Sequence, residues 1–190
     1  MTATDTLNER LDEILPKITT DEFLDATGLG KEIAFFVFDY PADAELQVRD
    51  HIGFLMEQIP KKKPGIKLEH INLLDFVIEY LKRRNLLEKT FELQKTKGDD
   101  FVLKQLEKIL HPSKLVELFK EMFQPKEQDL VLLSGVGSVW PMMRTHSLLN
   151  NLHPVMGTTP LVIFYPGKYD QKTLRLFGKI NTENLSLIHI

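Results

Sequence analysis

Residues 129–154 read DLVLLSGVGSVWPMMRTHSLLNNLHP. Asp129 to Leu133 is a short apolar run closed by the glycines of Ser134-Gly135-Val136-Gly137-Ser138, which predicts a buried strand ending in a tight turn. From Val139 to Leu152 the spacing becomes helical. Met142, Thr145, Leu149 and Leu152 share a core face, while Arg144, Ser147 and Asn151 line up with His146 and Asn150 on another. A strand that passes through a turn into a helix is the repeating unit of an α/β sheet.

The flanking sequence repeats the pattern. Ile33 to Phe38 (IAFFVF), Ile66 to Asn72 and Pro160 to Tyr165 (PLVIFY) read as strands, and Thr173 to Ile180 (TLRLFGKI) as a fifth, edge strand. Leu7, Leu11, Ile14, Leu15 and Ile18 form a helical stripe near the N-terminus. Pro41 and Asp43 are expected to open a helix over residues 44–59, with the acid accepting orphan N–H groups. Residues 73–84 and two or three further helices up to Phe123, punctuated at Gly98 and at His111-Pro112, form a Glu- and Lys-rich insertion between strands 2 and 3. The expected fold is α/β: a mostly parallel central sheet of about four or five strands flanked by helices. One domain is expected over residues 1–184.

Composition narrows function by exclusion. With 43% hydrophobic residues, 27% charged and a net charge of −3, the 190-residue chain reads as soluble and globular, with no global attraction to nucleic acid or anionic lipid. It has no cysteine, hence no disulfide, thiolate nucleophile or cysteine-held metal. No window reaches the roughly 18 apolar residues of a membrane span, and a cytoplasmic location is expected.

Ligands of open α/β sheets bind beyond the carboxyl ends of the strands. Residues 39–43, 134–140 and 166–170 occupy such places. Ser134, Gly135, Gly137 and Ser138 form a candidate anion-binding turn, but the Lys and Ser/Thr of a phosphate loop are missing and Trp140-Pro141 fills the place of a third dinucleotide glycine. From Leu130 through Tyr169 there is no Asp or Glu, although the chain holds 27. The donors of that window suit an acidic loop, a phosphate or a carboxylate; the competing reading buries the helix and pairs Arg144 with an acid of its own chain. Asp39 reads first as a cap of the turn beside Pro41, and second as a weak echo of a magnesium-holding acid. The six histidines form no metal motif, and no cofactor is expected. Ser134, Ser138 and Ser147 are each conceivable nucleophiles with His146, without a G-x-S-x-G elbow to support them.

Three stretches carry a family resemblance: GLGKEIAFFVFDY at residues 28–40, LLSGVGSVWPMMRTHSLLNNLHP at 132–154 and PLVIFYPGKYDQKTLRLFG at 160–178. Together they resemble the BrxB family of BREX anti-phage systems. The resemblance implies a small accessory subunit that works alongside a PglZ-like phosphatase-related protein, a large ATPase and an adenine methyltransferase, and it carries over no catalytic residue. The expected function is a non-enzymatic adaptor binding the PglZ-like partner through Trp140, Arg144, His146, Ser147, Asn150 and Asn151. Contact with nucleic acid is expected to be indirect or weak, and none with a membrane. The alternative is a degenerate nucleotide- or nucleic-acid-binding domain. After Asn184 the family pattern is expected to continue as an aromatic and basic last strand. LSLIHI at 185–190 instead resembles a reading frame of a transposase adapter, so a non-native tail on a truncated gene fragment is expected there.

Overall fold

In a computed structural model of the chain, residues 3–25, 34–169, 173–181 and 188–189 are described. Helices α1 (Ala3–Ile18) and α2 (Asp21–Leu24) precede strand β1 (Phe35–Tyr40), helix α3 (Glu45–Lys62) and strand β2 (Leu68–Asn72). Four helices follow: α4 (Leu73–Arg83), α5 (Leu87–Lys97), α6 (Asp99–Ile109) and α7 (Pro112–Phe123). Strand β3 (Leu130–Ser134), helix α8 (Thr145–Met156) and strands β4 (Leu161–Tyr169), β5 (Leu174–Leu176), β6 (Ile180–Asn181) and β7 (Ile188–His189) complete the order. The fold is α/β, with the helical insertion where the sequence places it. No described helix is long and apolar enough to cross a membrane.

The sheet order is β2-β3-β4-β1-β7 and every pairing along it is parallel. All residues of β1 and β3 and the first six of β4 are buried. Alternation divides them between two layers. Phe36, Phe38, Leu130, Leu132, Val162 and Phe164 meet α1 and α3 on one face. Phe35, Val37, Val131, Leu133, Leu161 and Ile163 meet α4, α6, α7 and α8 on the other. The first crossover carries the chain from β1 to the far edge at β2, so β1 lies between β4 and β7, with Phe35 beside Leu161.

Four details depart from the sequence reading. The residues expected as one edge strand, 173–180, fold as β5 and β6, an antiparallel arm hinged on β4. Phe177 and Gly178, with φ of 54° and 70°, lie in the three-residue turn between Leu176 and Ile180 that divides them. Asp43 caps nothing: it sits in a 3-10 turn, Ala42–Ala44, and α3 starts from Ala44 without a side-chain cap. Asn72 is the cap that residue spacing did not single out, its Oδ1 accepting from Leu74 N–H at 2.9 Å and Asp75 N–H at 3.4 Å. Asp39 does not cap the turn beside Pro41 either. Its carboxylate accepts from Arg10 at 2.7 Å and from Tyr169 N–H at 2.9 Å, joining α1 to the end of β4 across the top of β1. Of the tail, residues 185–187 and 190 lie outside the described residues, while the Ile188–His189 backbone runs parallel beside Phe36–Val37, as extended residues do on an open edge.

One more polar contact joins strands at this end of the sheet. His70 Nε2 lies 2.8 Å from Ser134 Oγ, bridging β2 and β3. Burial pushes the His70 imidazole below its ordinary value, against a weaker opposing pull from Asp75.

Removing the Asp39 carboxylate takes away the ion pair of Arg10, leaving it the Asp39 main-chain oxygen, and the acceptor of the Tyr169 N–H. Asp39→Ala is expected to lower the unfolding free energy by about 2 kcal/mol in urea titration; a loss within about 0.5 kcal/mol, as at ordinary surface sites, would rule out a structural role. For His70 the sign is set by its depressed value. The unfolded chain takes up the proton first, so stability is full above the free imidazole value of 6.5, falls as pH drops through it, and levels off below the folded-state value. His70→Gln is expected to flatten stability against pH in this window, leaving a residual slope from His51, which burial also depresses. An unchanged slope would place the titration elsewhere.

Candidate functional site

At the carboxyl end of β3 the chain turns through Gly135, at φ 74°, where a Cβ would stand 2.5 Å from Asn72 Oδ1 and 3.1 Å from the Leu73 nitrogen. Only glycine combines that left-handed backbone with so close an approach to the cap of α4. Gly137 is held by packing: a Cβ there would meet the Phe177 ring at 2.9 Å and Pro166 at 3.0 Å. The positions a side chain would take at Gly135 and Gly137 are thus occupied by Asn72, Pro166 and Phe177. Ser134 is buried and bonded to His70, and Ser138 is half-buried.

The helix expected from Val139 begins later, at Thr145. A 3-10 turn, Gly137–Val139, leads to Trp140, whose ψ of 139° is extended. Trp140 precedes Pro141, and a proline ring disfavours helical geometry in the residue before it. The Trp140–Pro141 bond is cis. Arg144, also extended, is the N-cap residue of α8, and its side chain makes no capping bond. Trp140, Met142 and Arg144 therefore lie in a loop, not on helical faces. Thr145, Leu148, Leu149, Leu152 and Met156 form the buried side of α8, and Met142 packs against the core only in part.

The single polar face expected on this helix splits in two. His146 turns inward and is 9% exposed. Asn150 and Asn151 face water, with Ser147 half-buried beside them. Asn151 Nδ2 is committed to Ser147 O at 2.7 Å within the helix.

His146 joins Trp140, Arg144 and Thr145 around a pocket of about 120 Å³. Tyr165 from β4, Leu176 from β5 and Ile180 from β6 complete it. These last three were not singled out in the sequence. Tyr165 ends the VIFY run, and alternation puts it on the inner face with Ile163. Nothing local announces that the arm of β5 and β6 folds back to supply the other wall. Arg144 stands exposed at this pocket and makes no ion pair among the described residues. Lys168 faces Arg175 across the β4–β5 ladder, and Lys179 follows at the turn; all three are exposed. Residues 173–181 add no acid to the acid-free window.

The start of α8, where Arg144, Thr145 and His146 line the pocket, adds the partial positive charge of a helix N-terminus to the same place. Chemically the pocket is a small cationic recess with an aromatic wall, suited to a carboxylate or similar anion. Among the described residues no group of three or more His, Asp or Glu is placed to hold a metal ion. Among the described residues two histidines meet a serine hydroxyl: His70 with Ser134, which is 5% exposed, and His111 Nδ1 with Ser113 Oγ at 2.9 Å, two residues apart on the surface at the start of α7.

A sequence model described as BREX protein BrxB matches residues 69–186. The BREX protein BrxB of Bacillus cereus (strain H3081.97) is 40% identical over 182 residues, covering 94% of this chain and 93% of that protein. The BREX protein BrxB of Escherichia coli O9:H4 (strain HS) is 36% identical over 178 residues, covering 94% and 88%. No solved structure matches the chain. Each relative is matched over 94% of this chain, and on that extent of likeness the chain belongs to the BrxB family of BREX proteins.

Proposed function

We propose that this chain is a non-enzymatic accessory subunit of a BREX anti-phage complex that docks a PglZ-like partner at the Trp140–Arg144 pocket. The observation that carries the reading is Arg144: an exposed guanidinium without an ion pair among the described residues, at the mouth of a recess walled by Trp140, His146 and Tyr165. Arg and Trp are the residues on which interfaces most often concentrate binding energy. An acidic side chain of the partner entering the recess would meet Arg144 and the start of α8, with Asn150 and Ser147 at the rim. Asn151 contributes less, its amide being held within α8. Membership of the BrxB family supports work inside a multi-protein system, and contact with DNA passes through other components on this reading.

Docking is favoured over catalysis because the glycines of residues 134–138 are accounted for by the close approach of Asn72, Pro166 and Phe177, and the turn lacks the lysine of a phosphate loop. The pairing of Ser134 with His70 is part-buried, with the serine enclosed, and neither residue lines the pocket. Contact with the partner should be steered by charge and weakened by salt.

Co-expression with the PglZ-like protein of the same operon tests this. Wild type is expected to recover the partner, and Arg144→Glu to weaken binding at least about tenfold, or about 1.4 kcal/mol. Equal recovery by Arg144→Glu would remove the pocket from the interface. No recovery by wild type would end the assignment of the partner.

A further inference from the structure

The helical insertion contains an element with no core of its own. None of the residues of α5 is buried: Phe91 is 46% and Leu93 37% exposed, and Phe101 on the neighbouring α6 is 41% exposed. Of these, Phe91 borders a groove, and a large apolar side chain left in water at such a place marks a surface that meets something. Gly98, at φ 83°, is the single residue joining α5 to α6, so the two helices form a tight hairpin.

Between this hairpin and α4 lies a groove of about 460 Å³. Val77 and Leu81 of α4, Leu87 and Phe91 of α5, Leu103 of α6 and Met142 from the loop before α8 supply its apolar lining. A groove of that volume is within the range of small-ligand sites. On α5 the groove is lined by Leu87, Thr90, Phe91 and Gln94, the i, i+3, i+4 and i+7 positions of one helical face, so an occupant that covers it lies along two turns of α5. An amphipathic helix, presenting anchors at i, i+3 or i+4 and i+7, is the element that fits such a trough between helices.

Charge specifies the occupant further. The ionised residues lining the groove are Asp99 and Asp100, both at the start of α6, and no lysine or arginine lines it. Asp99 accepts from Gln94 at 2.9 Å, and Asp100 makes no ion pair among the described residues. One end of the trough thus asks for a cation.

We propose that the groove formed by α4, α5 and α6 docks an amphipathic helix of a partner protein, with an apolar stripe against Phe91, Leu87 and Leu103 and a Lys or Arg over Asp99 and Asp100. It goes beyond the docking reading above and does not depend on it, since none of Trp140, Arg144 and His146 takes part. If both hold, the chain has two surfaces of opposite preference. The pocket takes an acid and the groove takes a base.

The test uses the full chain and fluorescent helical peptides of about 18 residues, long enough to form a helix. One carries leucines at i, i+4, i+7 and i+11 with a Lys-Arg pair at one end; its twin carries Glu-Glu instead. The basic peptide is expected to bind at least tenfold more tightly than the acidic twin by anisotropy titration. Phe91→Glu should weaken it tenfold or more, and Asp100→Lys should abolish the preference for the basic peptide. Because α5 buries nothing, Phe91→Glu is expected to melt like wild type, and Phe91→Ala, with a smaller loss of binding, guards against a folding artefact. Indifference of binding to both Phe91 variants, or equal binding of the two peptides, would overturn the proposal. So would self-association in sedimentation that Phe91→Glu disperses, because the groove would then belong to a second copy of the chain. Arg144→Glu should leave peptide binding unchanged, which separates this outcome from that of the pocket.

Discussion

The central strands of this protein have no side that can face water. In β3 every residue is buried, in β1 likewise, and in β4 the first six, so each face of the sheet requires a layer of helices before the backbone between them is shielded. That constraint decides where everything else goes. α1 and α3 cover one face, the insertion and α8 cover the other, and the open margin is the rim where strands end. Polar side chains at the carboxyl rim are answered one by one: Asp39 by Arg10 and Tyr169, Ser134 by His70, Asn72 by the N–H groups of α4. The Trp140–Arg144 pocket is the part of that rim where a cation faces outward.

Two arginines show how differently one residue type is used. Arg10 bonds both the carboxylate and the main-chain oxygen of Asp39 and lies 4.7 Å from the centre of the Phe38 ring, so charge, hydrogen bonds and aromatic face are all satisfied within the chain. Arg144 follows the extended Trp140-Pro141 segment and stands clear of the sheet's acids. The difference arises from position on the sheet. An acid at the end of β1 lies beneath α1, whereas the region around the end of β3 has no acid within the window that builds it.

The order of the elements was legible because the information lies in runs. IAFFVF, DLVLL and PLVIFY are buried strands by composition, and the insertion announces itself by its Glu- and Lys-rich helices. Helix starts were less legible where two local rules compete. The periodic face of Met142, Thr145 and Leu149 argued for helix from Val139, while the proline at 141 argued against helical geometry at Trp140, and the proline won. Asp39 and the pocket were illegible for a different reason. The partners of Asp39, Arg10 and Tyr169, come from opposite ends of the chain, and the pocket closes only when β5 and β6 fold back. The glycines of residues 134–138 were visible, but their cause was not, because Asn72, Pro166 and Phe177 approach them only in three dimensions.

The sheet order has a consequence for how the chain is made. β1 is among the first elements to leave the ribosome, yet its partner in the sheet's centre is β4, and Phe35 waits for Leu161. Until then the most aromatic strand of the protein has only α1 and α3 to cover one face, and nothing to satisfy its backbone on the β4 side. Closure of the middle of the sheet is therefore a late event at the growing chain, dominated by long-range contact. A pause or early stop before residue 161 would release a chain with β3 paired to β2 and β1 unmatched. Such a product resembles a template for association with other chains more than a smaller version of the folded protein.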